Sequence, residues 1–172
     1  TCTASATDID PEDTPTITYA WSDGTAGDTY VVSMDDAVDS TITCTATADD
    51  ADGGVVTGTA SATTTNTAPT VDSVEVDPAE GQVGDMLTCT ATASDDDGET
   101  PTITYAWSTG EEGSTYTITD ADAVDSEIVC TATATDMRGE TGIGTASATV
   151  TNTAPTVDSV AVTPLEGQVG DT

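Results

Sequence analysis

The ten residues TNTAPTVDSV occur twice without a change, at 65–74 and again at 151–160. The two occurrences lie 86 residues apart (151 − 65) in a chain of 172 residues. A fixed period indicates tandem copies of one small structural unit, which is the strongest constraint that this sequence places on its fold. We therefore divide the chain into a first repeat and a second repeat and compare them position by position.

Apolar and polar residues alternate along the second repeat, which is the pattern of half-buried β-strands. Thr is abundant, and its β-branched side chain fits strands better than helices. The alternation predicts six strands, over 73–76, 87–93, 103–107, 116–118, 128–134 and 146–150, and leaves open a seventh near 108–114. High negative charge and few aromatic residues are also typical of disorder, but the regular alternation favours an all-β fold.

Each repeat carries two cysteines with a tryptophan on a strand between them. The cysteines fall in the second and the penultimate strand, which is the arrangement of an immunoglobulin-type sandwich. Four cysteines allow three pairings, and the repeat favours pairing within each copy, because each copy has to close its own core. The predicted disulfides are Cys2–Cys44 and Cys89–Cys130. Reduced, buried thiols are the alternative.

The inward positions of the predicted strands are mostly Ala, so larger groups have to fill the space between the sheets. We expect the core to contain the disulfides together with Trp21, Trp107 and Tyr105. Two disulfides would also indicate an oxidising compartment, and therefore an extracellular or cell-surface location.

Three segments carry a family resemblance: NTAPTVDSVEVDPAEGQVGD, LTCTATASDDDGETPTITYAW and GTASATVTNTAPT. They are similar to the tandem immunoglobulin-like repeats, related to PKD and cadherin-like repeats, of very large surface and secreted proteins of bacteria and archaea. The resemblance implies tandem immunoglobulin-like β-sandwiches with one disulfide between strands B and F in each repeat. Such repeats serve as stalks, adhesins and filaments. Ile128 stands where antibody-like domains have a tyrosine, which argues against an antibody-type or receptor-type role.

The repeat predicts three parts of the chain: an immunoglobulin-like repeat without its strand A over 1–68, a complete repeat over 69–154, and strand A of a further repeat over 155–172. The two ends are thus complementary. We expect the chain to be a window of a long covalent array. The alternative is that separate chains join head to tail by donating that strand.

The repeated decapeptide leads directly into strand A, so it forms the joint between consecutive repeats. Its two occurrences place Asn66 and Pro69 at one joint and Asn152 and Pro155 at the other. Proline fixes its own φ and extends the residue before it, so the joint should be short and stiff. We expect a rod of domains placed end to end, with the loops after strands B and F crowded around each joint.

Both of these loops are acidic in each repeat. Carboxylates spaced D-x-D before a Gly or Pro turn direct several hard oxygens to one point, which suits Ca²⁺. The candidate calcium ligands are Asp8, Asp10, Asp50, Asp52, Asp95, Asp97 and Asp136. The loops lack the full EF-hand pattern, and the alternative is a solvated acidic loop with diffuse counterions. Arg138, at the position of Asp52, could replace a cation at one joint.

The charge balance excludes several partners and chemistries. The chain has 32 acidic residues, one Arg, no Lys and no His, for a net charge of −31. Nucleic acids and anionic membranes require clustered cations, and no apolar run approaches 18 residues, so we expect neither nucleic-acid binding nor membrane insertion in this segment. Without His and Lys, Ser-His-Asp triads, Schiff bases and histidine zinc sites are unavailable. We therefore expect no enzymatic activity.

Outward rows of threonine and serine run along the last two predicted strands. Their members are Thr131, Thr133, Thr135, Thr145, Ser147 and Thr149. They simply suit exposed strand positions, and the alternative is O-linked glycosylation along the rod. Ice binding is disfavoured because immunoglobulin-type sheets twist.

These features predict a structural segment of a long extracellular stalk or filament, whose partners are neighbouring repeats or other copies of the chain. The second hypothesis is an adhesin segment that itself binds a glycan or protein ligand. That role would require loops that differ between repeats and expose aromatic residues, whereas Tyr30 and Tyr116 occupy matching positions.

Overall fold

The computed structural model describes residues 1–10 and 14–163. Within these residues the secondary structure is all β, and no helix is long and apolar enough to cross a membrane. The ten strands are β1 (Thr16–Trp21), β2 (Thr41–Asp49), β3 (Val55–Thr63), β4 (Thr70–Asp77), β5 (Glu80–Gly81), β6 (Met86–Ser94), β7 (Thr102–Trp107), β8 (Thr115–Thr117), β9 (Glu127–Thr135) and β10 (Thr141–Val150).

The strands form three sheets. The first repeat holds a three-stranded antiparallel sheet in the order β1-β2-β3. The second repeat holds a four-stranded sheet in the order β5-β10-β9-β7 and a three-stranded sheet in the order β4-β6-β8. Alternate side chains of β9 are buried, since successive residues of a strand point to opposite faces of the sheet.

All six strands predicted for the second repeat are present, as β4 and β6 to β10. The segment near 108–114 is a turn, joined to β7 by a single bridge between Ala106 and Glu112. The two-residue strand β5, which pairs in parallel with the end of β10, was not predicted, because two residues are too few to show an alternation. Residues 155–163 carry no assigned strand, and 164–172 lie outside the described residues. The predicted repeat boundaries stay a prediction.

Spatial clustering groups the described residues into two units. Unit 1 contains 1–10, 14–74, 91–104 and 132–144, and unit 2 contains 75–90, 105–131 and 145–163. The division falls within β4, β6, β7, β9 and β10.

Unit 2 has a closed core around the disulfide Cys89–Cys130, whose Cα atoms lie 6.4 Å apart. Trp107 is buried, its ring centroid lies 5.7 Å from that of Tyr116, and its indole N–H donates to the carbonyl of Gly113 at 2.9 Å. A buried indole needs such an acceptor, which the turn after β7 supplies. The remaining large buried side chains are Leu87, Ile118, Ile128 and Val150.

Unit 1 contains the disulfide Cys2–Cys44, and the tryptophan pattern repeats there. The rings of Trp21 and Tyr30 lie 5.3 Å apart, and the Trp21 indole donates to Gly27. The two disulfides are the pairs predicted from the sequence, and they indicate a non-reducing environment. Trp21 and Tyr105, both predicted as core residues, are half-buried.

Candidate functional site

The first occurrence of the decapeptide is held in place by acidic loops of the second repeat, all within unit 1. The side-chain amide of Asn66 donates to Asp136 at 2.8 Å and to Glu140 at 3.1 Å. The backbone N–H of Thr67 donates to the carboxylate of Asp97 at 2.6 Å. Charge-assisted hydrogen bonds of this kind are short and strong, so the joint is tied to two separate loops.

Pro69 continues this contact and is buried. Its carbonyl oxygen lies against the Cα of Gly142 in β10, so closely that a Cβ at that position would overlap with it. Glycine is needed at such a position because the two backbones approach without room for a side chain. The segment 66–69 is therefore fixed both by hydrogen bonds and by close backbone packing.

Asp136 organises the loop between β9 and β10. One carboxylate oxygen accepts from the backbone N–H groups of Arg138 and Glu140, both at 2.8 Å, and the other accepts from Asn66. The amide of Asn66, more than any other group, holds the pKa of the Asp136 carboxyl below its usual range; desolvation acts in the opposite direction and is outweighed.

Asp95 and Asp97 shape the loop after β6. The backbone N–H of Asp97 donates to Asp95 at 2.8 Å, and Gly98 completes the turn with a φ of 78°, which glycine adopts without strain. Asp97 thereby presents its carboxylate to the N–H of Thr67. The D-D-D-G sequence thus forms a turn whose Asp97 carboxylate is hydrogen-bonded to the joint.

Two buried oxygen atoms at this joint have no hydrogen-bond partner: Oδ1 of Asn66 and Oδ2 of Asp95. Both are acceptors, and a buried acceptor without a partner costs free energy unless a donor or a cation reaches it. Hard oxygen atoms from a carboxylate and an amide are ligands that Ca²⁺ accepts. Each of the two atoms can accept from a donor or bind a cation, and in the described residues no group of three or more His, Cys, Asp or Glu side chains is arranged to hold a metal ion.

In the first repeat, Asp8 and Asp50 accept hydrogen bonds equivalent to those of Asp95 and Asp136. Asp10 donates its N–H to Asp8 at 2.9 Å, and Asp50 accepts from Asp52 and Gly54 at 2.9 and 2.8 Å. The N–H groups of Gly54 and Asp52 hold the pKa of the Asp50 carboxyl below its usual range. Asp8 and Asp50 line one open cavity of about 250 Å³.

The second occurrence of the decapeptide is placed differently from the first. Asn152 and Pro155 are exposed, whereas Asn66 is half-buried and Pro69 is buried. Of the predicted metal ligands, the structure brings Asp95, Asp97 and Asp136 to the joint at Asn66. Asp8 and Asp50 come together elsewhere in unit 1.

Three residues of the site were missed at the sequence level. Glu140 replaces Gly54 of the first repeat, so the comparison of repeats gave it no counterpart. Asp39 forms an ion pair with the guanidinium of Arg138 at 2.6 Å, so the only side-chain cation of the sequence is paired with a surface carboxylate. The pair is exposed, so it contributes about 0.2–1 kcal/mol at most. Thr67 acts through its backbone N–H, which side-chain patterns do not reveal.

Comparison with models of known protein families finds no match to this chain, and comparison with curated proteins finds none either.

Proposed function

We propose that this chain is a structural segment of a long extracellular stalk or filament, in which immunoglobulin-like β-sandwiches follow one another through stiff, acidic joints. The observation that supports the proposal is that the second repeat holds the segment 66–69 by hydrogen bonds to Asn66 and Thr67 and by close packing against Pro69. A linker fixed at three of its four residues cannot act as a flexible coil, and a stiff linker is what a load-bearing rod requires.

The chemistry of the chain fits an extracellular location. Disulfides persist in oxidising compartments, and the chain contains two. A net charge of −31 keeps such a rod apart from nucleic acids and anionic membrane surfaces. Its partners in this proposal are neighbouring repeats, and no catalytic activity is assigned to it.

The stiffness of the joint is tested by replacing Asn66 with Ala. We expect the two repeats of the wild-type chain to share one alignment tensor in residual dipolar couplings, and those of Asn66→Ala to reorient independently. The matched control is Asn152→Ala, the same change in an exposed copy of the same decapeptide, which should leave the couplings unchanged. Independent reorientation of the repeats in the wild type would refute the rod.

The same pair of variants gives a pH prediction. A carboxyl whose folded pKa is depressed stabilises the fold above its unfolded pKa of about 3.9, and this contribution is lost as the pH falls through the folded pKa. Asn66→Ala should raise the pKa of Asp136 towards its ordinary value. The stability that the variant loses on acidification should then be smaller than the loss in the wild type. NMR titration of the Asp136 carboxyl measures the effect, and Asn152→Ala should not change it.

We further propose that Ca²⁺ stabilises the joint at Asn66. Asp95 and Asn66 would contribute oxygen ligands, because each has a buried oxygen without a partner, and the bound ion would neutralise the acidic loops. The alternative is a diffuse counterion atmosphere, to which any salt of equal ionic strength would contribute.

Thermal unfolding with added CaCl₂, and with NaCl of equal ionic strength, separates the two models. At a free Ca²⁺ concentration about 100 times Kd, a specific site should add about 2.7 kcal/mol of stability, and a chelator should remove it. Asp95→Asn should lose this increment, whereas Asp8→Asn, the equivalent change in the first repeat, should retain it. Equal effects of the two salts on the wild type would rule out the specific site.

A further inference from the structure

Arg138 is the only basic side chain in a sequence with 32 acidic residues, and it lies where the two repeats meet. Its Nη1 atom donates to the carboxylate of Asp39 at 2.6 Å. Asp39 belongs to the first repeat and Arg138 to the loop between β9 and β10 of the second, and both fall within unit 1. The single basic side chain thus connects one repeat with the next.

Asp39 is presented by a turn of five residues, DAVDS at 36–40, in an unusual backbone conformation. Its φ is 61°, in the left-handed region that few residues other than Gly, Asn and Asp adopt. Such a conformation persists where the surrounding structure imposes it, and it occurs mostly at functional sites. The same five letters recur at 122–126, where Asp125 has a φ of 64°. Both repeats therefore build this DAVDS turn.

The DAVDS turn at 36–40 is anchored to the residue that precedes the decapeptide. The backbone N–H of Asp39 donates to the carbonyl of Thr64 at 3.1 Å, and the N–H of Thr64 donates to Ser40 at 3.0 Å. The buried hydroxyl of Thr64 donates to the carbonyl of Ala37 at 2.6 Å. Because Thr64 leads directly into the linker, the Asp39 carboxylate has a fixed position at the base of the linker.

The loop that carries Arg138 has hydrogen bonds that occur in both repeats. One carboxylate oxygen of Asp136 accepts from the backbone N–H groups two and four residues further along, both at 2.8 Å. Asp50 accepts the same pair of bonds in the first repeat, at 2.9 and 2.8 Å. Arg138 stands in the second repeat where Asp52 stands in the first. The side chain at this position can therefore change without loss of the bonds that hold the loop.

Acidic side chains accompany the ion pair on both repeats. Asp36 lies in the same turn as Asp39. Asp136 and Glu140 lie two residues before and after Arg138. An exposed ion pair adds little stability, but a like charge in place of the arginine would oppose the contact. The sign of the charge at position 138 therefore matters more than the strength of the pair.

We propose that Arg138 determines which repeat can follow the first one. Its guanidinium selects the carboxylate of the DAVDS turn in the preceding repeat, and a repeat with Asp at this position, as the first repeat has in Asp52, is repelled. The inference rests on the proposed rod and names the residue that selects neighbours at its joint. A weak attraction and a weak repulsion together give specificity, because selection depends on the difference between the two.

The test is a substitution whose effect should reverse in sign. Asp39→Asn removes the charge and keeps a residue that tolerates the left-handed conformation. In the wild type it should loosen the joint, because the attraction to Arg138 is lost. In the Arg138→Asp variant it should tighten the joint, because a repulsion is removed. The two side chains are 68% and 40% exposed, so all of these variants should fold.

The probe is hydrogen exchange of the backbone N–H of Thr67, which donates to Asp97 of the second repeat. A chelator removes Ca²⁺, and the ionic strength is kept at about 20 mM so that exposed charges are little screened. Under these conditions Arg138→Asp should exchange at least about fivefold faster than the wild type. Asp39→Asn should make exchange about twofold faster in the wild type and about twofold slower in Arg138→Asp.

Two controls accompany these measurements. In about 0.5 M NaCl the differences should largely disappear, because screening weakens both the attraction and the repulsion between exposed charges. Asp125→Asn makes the same change in the DAVDS turn of the second repeat and should leave the exchange of Thr67 unchanged. The inference is overturned if Asp39→Asn acts in the same direction in both backgrounds, or if Arg138→Asp exchanges as slowly as the wild type.

These outcomes are separate from the test of the rod, which is the alignment of the two wild-type repeats in dipolar couplings. Repeats that share one alignment tensor but show no reversal at Asp39 keep the rod and refute the selection by Arg138. Repeats that reorient independently but show the reversal refute the rod and keep the ion pair as the contact that selects a neighbour.

Discussion

Replacing Cys89 and Cys130 together with Ala is expected to lower the free energy of unfolding of the second repeat by about 4 kcal/mol, most of the stability of a small domain. The disulfide closes a loop with a sequence separation of 41, so its loss returns the conformational entropy of that loop to the unfolded chain. Little else compensates, because Ala132, Ala134 and Ala148 occupy buried positions where larger side chains would normally pack. Urea unfolding followed by Trp107 fluorescence measures the loss.

The Cys2–Cys44 pair provides a matched comparison. Its sequence separation is 42, so the loop entropy is nearly the same, and Cys2 and Cys44 are also buried, at 8% and 2% exposure. Removing Cys2 and Cys44 should therefore cost a similar amount, from the loop entropy and from the cavity that the pair leaves behind. A loss below about 1 kcal/mol for Cys89→Ala/Cys130→Ala would show that packing, and not the cross-link, holds the two sheets together.

Much of the fold could be predicted from the sequence because it depends on local patterns. Alternation located β6, β7, β9 and β10, since a strand with one buried face has to alternate. The cysteine pairs followed from the repeat, because two equivalent units cannot both close a core if their cysteines are exchanged. Neither inference needed to know which sheets face one another.

The same reasoning failed where structure depends on a partner. Residues 2–7 are identical to residues 89–94 of β6 at four of six positions, yet they carry no assigned strand. The strand β6 lies between β4 and β8, and in the described residues no strand equivalent to β4 pairs with residues 2–7. Alternation shows that a segment is able to form a strand. The strand forms only when a second segment lies beside it and pairs with its backbone.

The candidate site shows the same division. The acidic loops were found because carboxylates at D-x-D spacing stand out in the sequence, and the structure places Asp97 and Asp136 against the linker. The hydrogen bonds that they make were not predictable. Asn66 and Asn152 sit in identical decapeptides, but one donates to two carboxylates while the other is exposed. The groups that surround each Asn in the fold therefore decide its role, because the neighbours of the two residues in the sequence are the same.

Gly142→Val is expected to be the most disruptive single substitution at the joint. Its Cβ would overlap with the carbonyl oxygen of Pro69, a backbone atom that the hydrogen bonds of Asn66 and Thr67 prevent from moving aside. Overpacking against a side chain costs about 1–3 kcal/mol because rotamers adjust, and a fixed backbone offers no such adjustment. We expect a loss of about 3 kcal/mol or more, with faster hydrogen exchange over residues 66–77.

The first repeat supplies the controls for this experiment. Val56 occupies the position of Gly142 there and is exposed, so valine is compatible with the strand itself. Gly58→Val, which meets no atom within 4 Å, should change stability by no more than about 0.5 kcal/mol. If Gly142→Val were equally mild, the linker would have to be free to lift away from β10. The joint would then be a hinge, because a segment that yields to one side chain cannot transmit force along a rod.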